Sequence, residues 1–139
     1  MCFRSKDLEE LTVESVHFLW MCQELQSLLL FADLLSDFEK QMWEENRPDF
    51  IDIQLYLTHE HSKEQMQNLL GKYPNLVHKV CQGHPDWYSL FREWIDLYKG
   101  TDVGVFCCGP HALRHQLASL CRKANLCGCK FTYKQESFF

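Results

Sequence analysis

Apolar residues crowd residues 15–22 (SVHFLWMC) almost without a break, and the run is rich in β-branched and aromatic side chains. Such a run predicts a short strand buried on both faces. From residue 24 to 43 the spacing changes. Leu25, Leu28, Leu29, Ala32, Leu35 and Met42 recur at helical intervals with charged residues between them, the mark of an amphipathic helix. Asn46-Arg47-Pro48-Asp49 breaks it. Residues 50–58 alternate Ile51, Ile53, Leu55 and Leu57 with Asp52, Gln54 and Tyr56, which predicts a half-buried strand. A short helix follows over 62–70, capped by Ser62 and stopped by Gly71. Residues 76–82 read as a strand, 85–98 as a helix opened by Pro85-Asp86-Trp87, 103–108 as a strand, 110–123 as a helix and 129–133 as a last strand.

Strands that alternate with helices imply an α/β fold, a mostly parallel Rossmann-like sheet with crossover helices on its faces. In such sheets the ligand lies beyond the carboxyl ends of the strands. Those ends are Cys22-Gln23-Glu24, Thr58-His59, Gln82-Gly83-His84-Pro85 and Cys108-Gly109-Pro110. Singly, each reads as an ordinary turn. Gathered at one edge of one sheet, they read as a site. At the last of them, a strand turns directly into a helix. Gly109 permits close approach of backbone to a ligand. Pro110 suits a first helical turn, whose N–H groups attract a phosphate or another electron-rich group. No G-x-G-x-x-G follows any strand, so the expected sheet lacks its first strand and glycine loop.

Composition narrows the classes. The chain has 139 residues, 46% of them hydrophobic, 14 basic against 19 acidic, and a net charge of −5, which fits one acidic domain with a real core. There is no basic stripe, so no nucleic-acid partner is expected. No apolar run is long enough to span a membrane, and residues 1–7 hold no apolar signal core. Eight cysteines would mean disulfides in a secreted chain. Cys22, Cys107 and Cys108 lie in apolar strand patterns instead, where a thiol acts as a small hydrophobe, so a reducing compartment is expected. Cys121, Cys127 and Cys129 match no standard zinc spacing, and His59-Glu60-His61 reads as a solvated loop, so no metal is assigned.

The ordered set of HFLWMC (17–22) with Phe31-Ala32-Asp33-Leu34-Leu35, Gly83-His84-Pro85-Asp86-Trp87, VGVFCCGP (103–110) and FTYKQESF (131–138) resembles the C-terminal NADPH-binding lobe of the NADPH oxidase family. That family falls within the ferredoxin-reductase and ferric-reductase superfamily. Residues 43–50 leading into 53–57 narrow the likeness to one branch. The resemblance implies that residues 15–139 form a partial NAD(P)H-binding domain, with 1–14 as a linker or the end of a preceding helix. It implies hydride transfer from NADPH to FAD, then electron flow through haems to oxygen, giving superoxide or hydrogen peroxide. FAD and haem would sit mainly outside this chain. The implied partners are an FAD-binding domain and a haem-bearing transmembrane domain of the same protein, and a small membrane subunit. This lobe would face the cytosol.

By the same likeness, Cys108, Gly109 and Pro110 orient the nicotinamide and Phe138 lies over the flavin, so Cys108 and Phe138 are the residues placed at the chemistry. Glu136 accepts from the nicotinamide amide. Cys22, Gln23, Gly83, His84 and Pro85 are further cofactor-binding residues. The simpler readings are a buried strand-end thiol at Cys108, an apolar plug at Phe138 and a core anchor at Trp87. The family places an Arg after the first strand's Cys and another between Gly and Pro, to grip the 2′-phosphate. Gln23 and His84 stand there, which removes roughly 1.5–3 kcal/mol of preference per contact. Glu24 would accept from a free ribose hydroxyl and favour NADH, while His84 and Arg92 would compensate toward NADPH. The alternatives are a ferric-reductase lobe and a truncated, non-catalytic interaction fragment.

Overall fold

A computed structural model describes residues 13–136 of the chain. The elements are β1 (Val16–Cys22), α1 (Leu25–Glu44), β2 (Ile51–Leu57), α2 (Lys63–Leu70), α3 (Pro74–Val77), β3 (Val80–Gln82), α4 (Trp87–Leu97), β4 (Asp102–Cys108), α5 (His111–Leu126) and β5 (Lys130–Glu136). The α/β alternation is as the sequence implies. Among the described residues the strands pair as a three-stranded sheet, β1-β2-β3, and a two-stranded one, β4-β5. The chain divides accordingly into two compact units, His17–Pro85, and Asp86–Phe139 with Met1–Val16.

In the three-stranded unit, β2 and β3 run parallel with Leu55 opposite Val80 and Leu57 opposite Gln82. The strand ends of β1 and β2 are joined by the Thr58 N–H, which donates to the Cys22 carbonyl at 2.9 Å. Leu25 and Leu28 of α1 and Ile53, Leu55 and Leu57 of β2 form the core, with Phe18, Trp20, Cys22, Met66, Val77 and Val80 packed around it. These are the positions that the 3.6-residue and two-residue periods placed on one face. α1 stops where Asn46 takes a left-handed φ of 58° and the Arg47 N–H returns to the Met42 carbonyl at 2.8 Å, a satisfied helix end.

Three local expectations change. β1 is half-buried apart from Val16, not buried on both faces. It lies at an edge of the β1-β2-β3 order, so among the described residues only one side of it is paired. Residues 76 and 77 are helical, because Pro74 occupies a first helical turn and starts α3. Strand β3 is left with three residues. Gly71 ends α2 with a right-handed φ of −60°. Its value there is space: a Cβ would lie 2.9 Å from the Gln67 carbonyl oxygen.

In the two-stranded unit, β4 and β5 are parallel and in register from Asp102 opposite Lys130 to Cys108 opposite Glu136. Val103, Val105, Cys107 and Phe131 are buried, all on the same face by the period of two. Phe91 and Trp94 of α4 and Leu117, Cys121 and Ala124 of α5 are buried too. Phe91 meets Phe131 with ring centroids 5.9 Å apart. Asp86 caps α4 by accepting from the Ser89 N–H at 3.2 Å. Asn125 near the end of α5 clamps the start of β5: its Oδ1 accepts from the Phe131 N–H at 2.6 Å and its Nδ2 donates to the Phe131 carbonyl at 2.8 Å.

Candidate functional site

The three-stranded unit brings its carboxyl-end residues together through backbone hydrogen bonds. Cys22 ends β1 half-buried, and burial raises its thiol above the ordinary cysteine range. Gln23 and Glu24 follow, both exposed. One strand over, the Gly83 N–H donates to the Leu57 carbonyl at 2.7 Å, and Gly83 has a φ of +94°. That conformation suits glycine because it has no Cβ. His84 is exposed and Pro85 buried. Cys22, Gln23, Gly83, His84 and Pro85 therefore belong to one end of one unit.

A cluster of one carboxylate and two histidines occupies the same end, and sequence reasoning missed it. The His59 Nδ1–H donates to Glu24 Oε1 at 3.0 Å. His61 places Nε2 3.6 Å from Glu24 Oε2 and donates from Nδ1 to the His59 carbonyl at 2.9 Å. The His61 side chain is only 12% exposed, and Gln82 Nε2 donates to the His61 carbonyl at 2.9 Å. The Glu24 carboxyl is held below the usual glutamate range, first by the hydrogen bond from His59. The segment 59–61 is thus not merely a solvated loop. The signal lay in the pairing of β1 with β2, which sequence periodicity does not give. Ser62 and Gln65 then cap α2 reciprocally, fixing where the loop must end.

The second unit presents the other candidate residues. Cys107 points inward, its thiol pushed up by burial. Tyr133 lies beside it on β5, its hydroxyl pushed up to about 12 by burial and by that thiol. Cys108 has the opposite orientation and is exposed, so the reading of a buried strand-end thiol does not hold. It faces Glu136 in the register, also exposed. The chain then passes through Gly109, where a Cβ would meet Leu113 Cδ2 at 3.1 Å. Pro110 is not in the first helical turn. It is the N-cap of α5, with φ −65° and ψ 158°, because its carbonyl accepts from the Arg114 N–H while the helix proper begins at His111. Phe138 lies outside the described residues. Gln23 and His84 fall in one unit, Cys108 and Glu136 in the other.

Among the described residues, no group of three or more His, Cys, Asp or Glu is placed to hold a metal. No helix among them is long and apolar enough to cross a membrane.

Residues 2–122 match the ferric reductase NAD binding domain. The chain is 41% identical to NADPH oxidase 4 of Mus musculus over 133 residues, 95% of its length and 22% of that protein. It is 30% identical to NADPH oxidase 3 of Homo sapiens, over 92% of the chain and 24% of that protein. The heavy chain of a superoxide-generating NADPH oxidase from Dictyostelium discoideum is 29% identical over 91% of the chain and 25% of its own length. The chain spans about a quarter of the length of these relatives.

Proposed function

The chain belongs to the ferric reductase NAD-binding domain family, and from that premise we propose that it is the pyridine-nucleotide lobe of an NADPH oxidase. In this reading it presents NADPH to a flavin held elsewhere in a longer protein, whose electrons cross a membrane to oxygen. The observation that carries the reading is the β4 end. An exposed Cys108 stands opposite an exposed Glu136 in the parallel register, directly before the Gly109-Pro110 entry into α5.

The nicotinamide and flavin supply the hydride chemistry when bound. This chain's residues bind and orient. Cys108, Gly109 and Pro110 form the rest for the nicotinamide, and Glu136 offers a carboxylate to its amide, with Phe138 assigned to the flavin side by family likeness. Cys22, Gln23, Gly83, His84 and Pro85 take the adenosine end. Gly109 fits this role because its missing Cβ leaves the turn compact against Leu113. Holding the reacting ring in place is the protein's contribution to rate.

The test is flavin reduction by NADPH in the chain joined to the FAD-binding domain of an NADPH oxidase, with NADP⁺ binding followed by calorimetry. Cys108→Ala should slow flavin reduction at least tenfold with little change in NADP⁺ affinity. Flavin reduction at the wild-type rate in that variant would refute the assignment of Cys108.

A further inference from the structure

We propose that Glu24, His59 and His61 form a proton-operated selector at the adenosine end, favouring a 2′-phosphate when acid and a free ribose diol when alkaline. The inference rests on the adenosine assignment made above and adds its regulation. Three observations lead to it. The cluster lies at the carboxyl ends of the adjacent strands β1 and β2, Glu24 after β1 and His59 and His61 after β2, where α/β sheets receive nucleotides. Gln23 beside it is neutral, so it brings no fixed positive charge for a phosphate. And both histidines already engage the one carboxylate.

The chemistry follows from the donors and acceptors. A carboxylate at a strand end accepts ribose hydroxyls and repels a phosphate. Histidine changes charge between about pH 5 and pH 8. His61 faces a carbonyl with Nδ1 and a carboxylate with Nε2. With the Nδ1 proton used on the carbonyl, Nε2 presents a proton to the carboxylate only in the doubly protonated ring. With both rings charged, the cluster is net positive and Glu24 is occupied. With both neutral, it is net negative; His59 can still donate to Glu24 Oε1, while His61 uses its one N–H on the carbonyl and leaves Oε2 open to a diol. The remaining charged groups at this end are Glu60 in the loop, Lys63 and Glu64 in the first turn of α2, and His84 after β3.

The experiment titrates the full chain with adenosine 2′,5′-bisphosphate and with adenosine 5′-monophosphate at about pH 5.5 and about pH 8, at one ionic strength, by calorimetry. Acidification should raise the preference for the bisphosphate about tenfold, the size of one charge-assisted contact. The probe's own 2′-phosphate loses charge near pH 6, which works against that rise, so a rise must come from the protein. Glu24→Gln should raise the preference about tenfold at the alkaline pH. A His59→Gln/His61→Gln double variant should lose the rise on acidification. Binding of both probes with a preference that stays flat or falls on acidification overturns the selector while leaving the adenosine site standing. Failure of both probes to bind at either pH overturns the adenosine site itself, and the selector with it.

Discussion

Replacing Gly83 by alanine isolates one physical term inside the candidate site. Gly83 has φ +94°, and a Cβ built there meets nothing within 4 Å. Packing therefore contributes no penalty, and what remains is the cost of forcing an L-residue into positive φ. That cost is about 1–2 kcal/mol. Alanine also restricts the unfolded chain, which returns about 0.4–1 kcal/mol. The backbone cannot simply rotate away, because the Gly83 N–H is bonded to the Leu57 carbonyl at 2.7 Å. The net expectation for Gly83→Ala is a loss of roughly 1 kcal/mol. For a chain of this length the midpoint should fall by about 4 °C. Thermal unfolding by circular dichroism measures it. Gly83→Asn serves as the control, since asparagine tolerates left-handed backbone better, and it should fall by less. A Gly83→Ala midpoint at or above wild type would refute the strain argument. So would an Asn variant less stable than the Ala variant.

Two further expectations concern pH. Asp52 accepts from His17 at 3.2 Å and from Gln54 at 3.0 Å, and its carboxyl is lowered chiefly by the His17 bond. A carboxyl lowered on folding stabilises the protein above its unfolded value, near 3.9, and that stability is lost as pH falls through the folded value. Urea unfolding between about pH 7 and pH 3 should therefore show a smaller acid loss in Asp52→Asn than in wild type, and equal slopes would discard the pairing. Tyr133 is the opposite case, a hydroxyl raised to about 12. Its stabilisation is complete below the ordinary tyrosine value of about 10 and is lost as pH rises through the folded value. Tyr133→Phe should flatten the alkaline loss, and the last tyrosinate absorbance step of wild type should vanish with it.

How much was legible beforehand depended on whether a feature was local. The core residues Leu25, Leu28, Ile53, Leu55 and Leu57 are buried because a strand alternates every two residues and a helix returns every 3.6; both periods are written in the chain. The Ser62 cap and the turn at Gly83 are also local, set by what a hydroxyl can accept and a missing side chain can allow. What the linear order could not supply was pairing. The division into two sheets, the half-exposed state of β1, the register that sets Cys108 opposite Glu136 and the capture of Glu24 by histidines 35 residues or more away all join distant segments. Hydrogen bonds between strands are made by backbone groups that every residue except proline carries, so the residue types do not name the partner. Residue chemistry alone determined most of the elements and what each strand tip can do, and only the tertiary pairing decided which tips stand side by side.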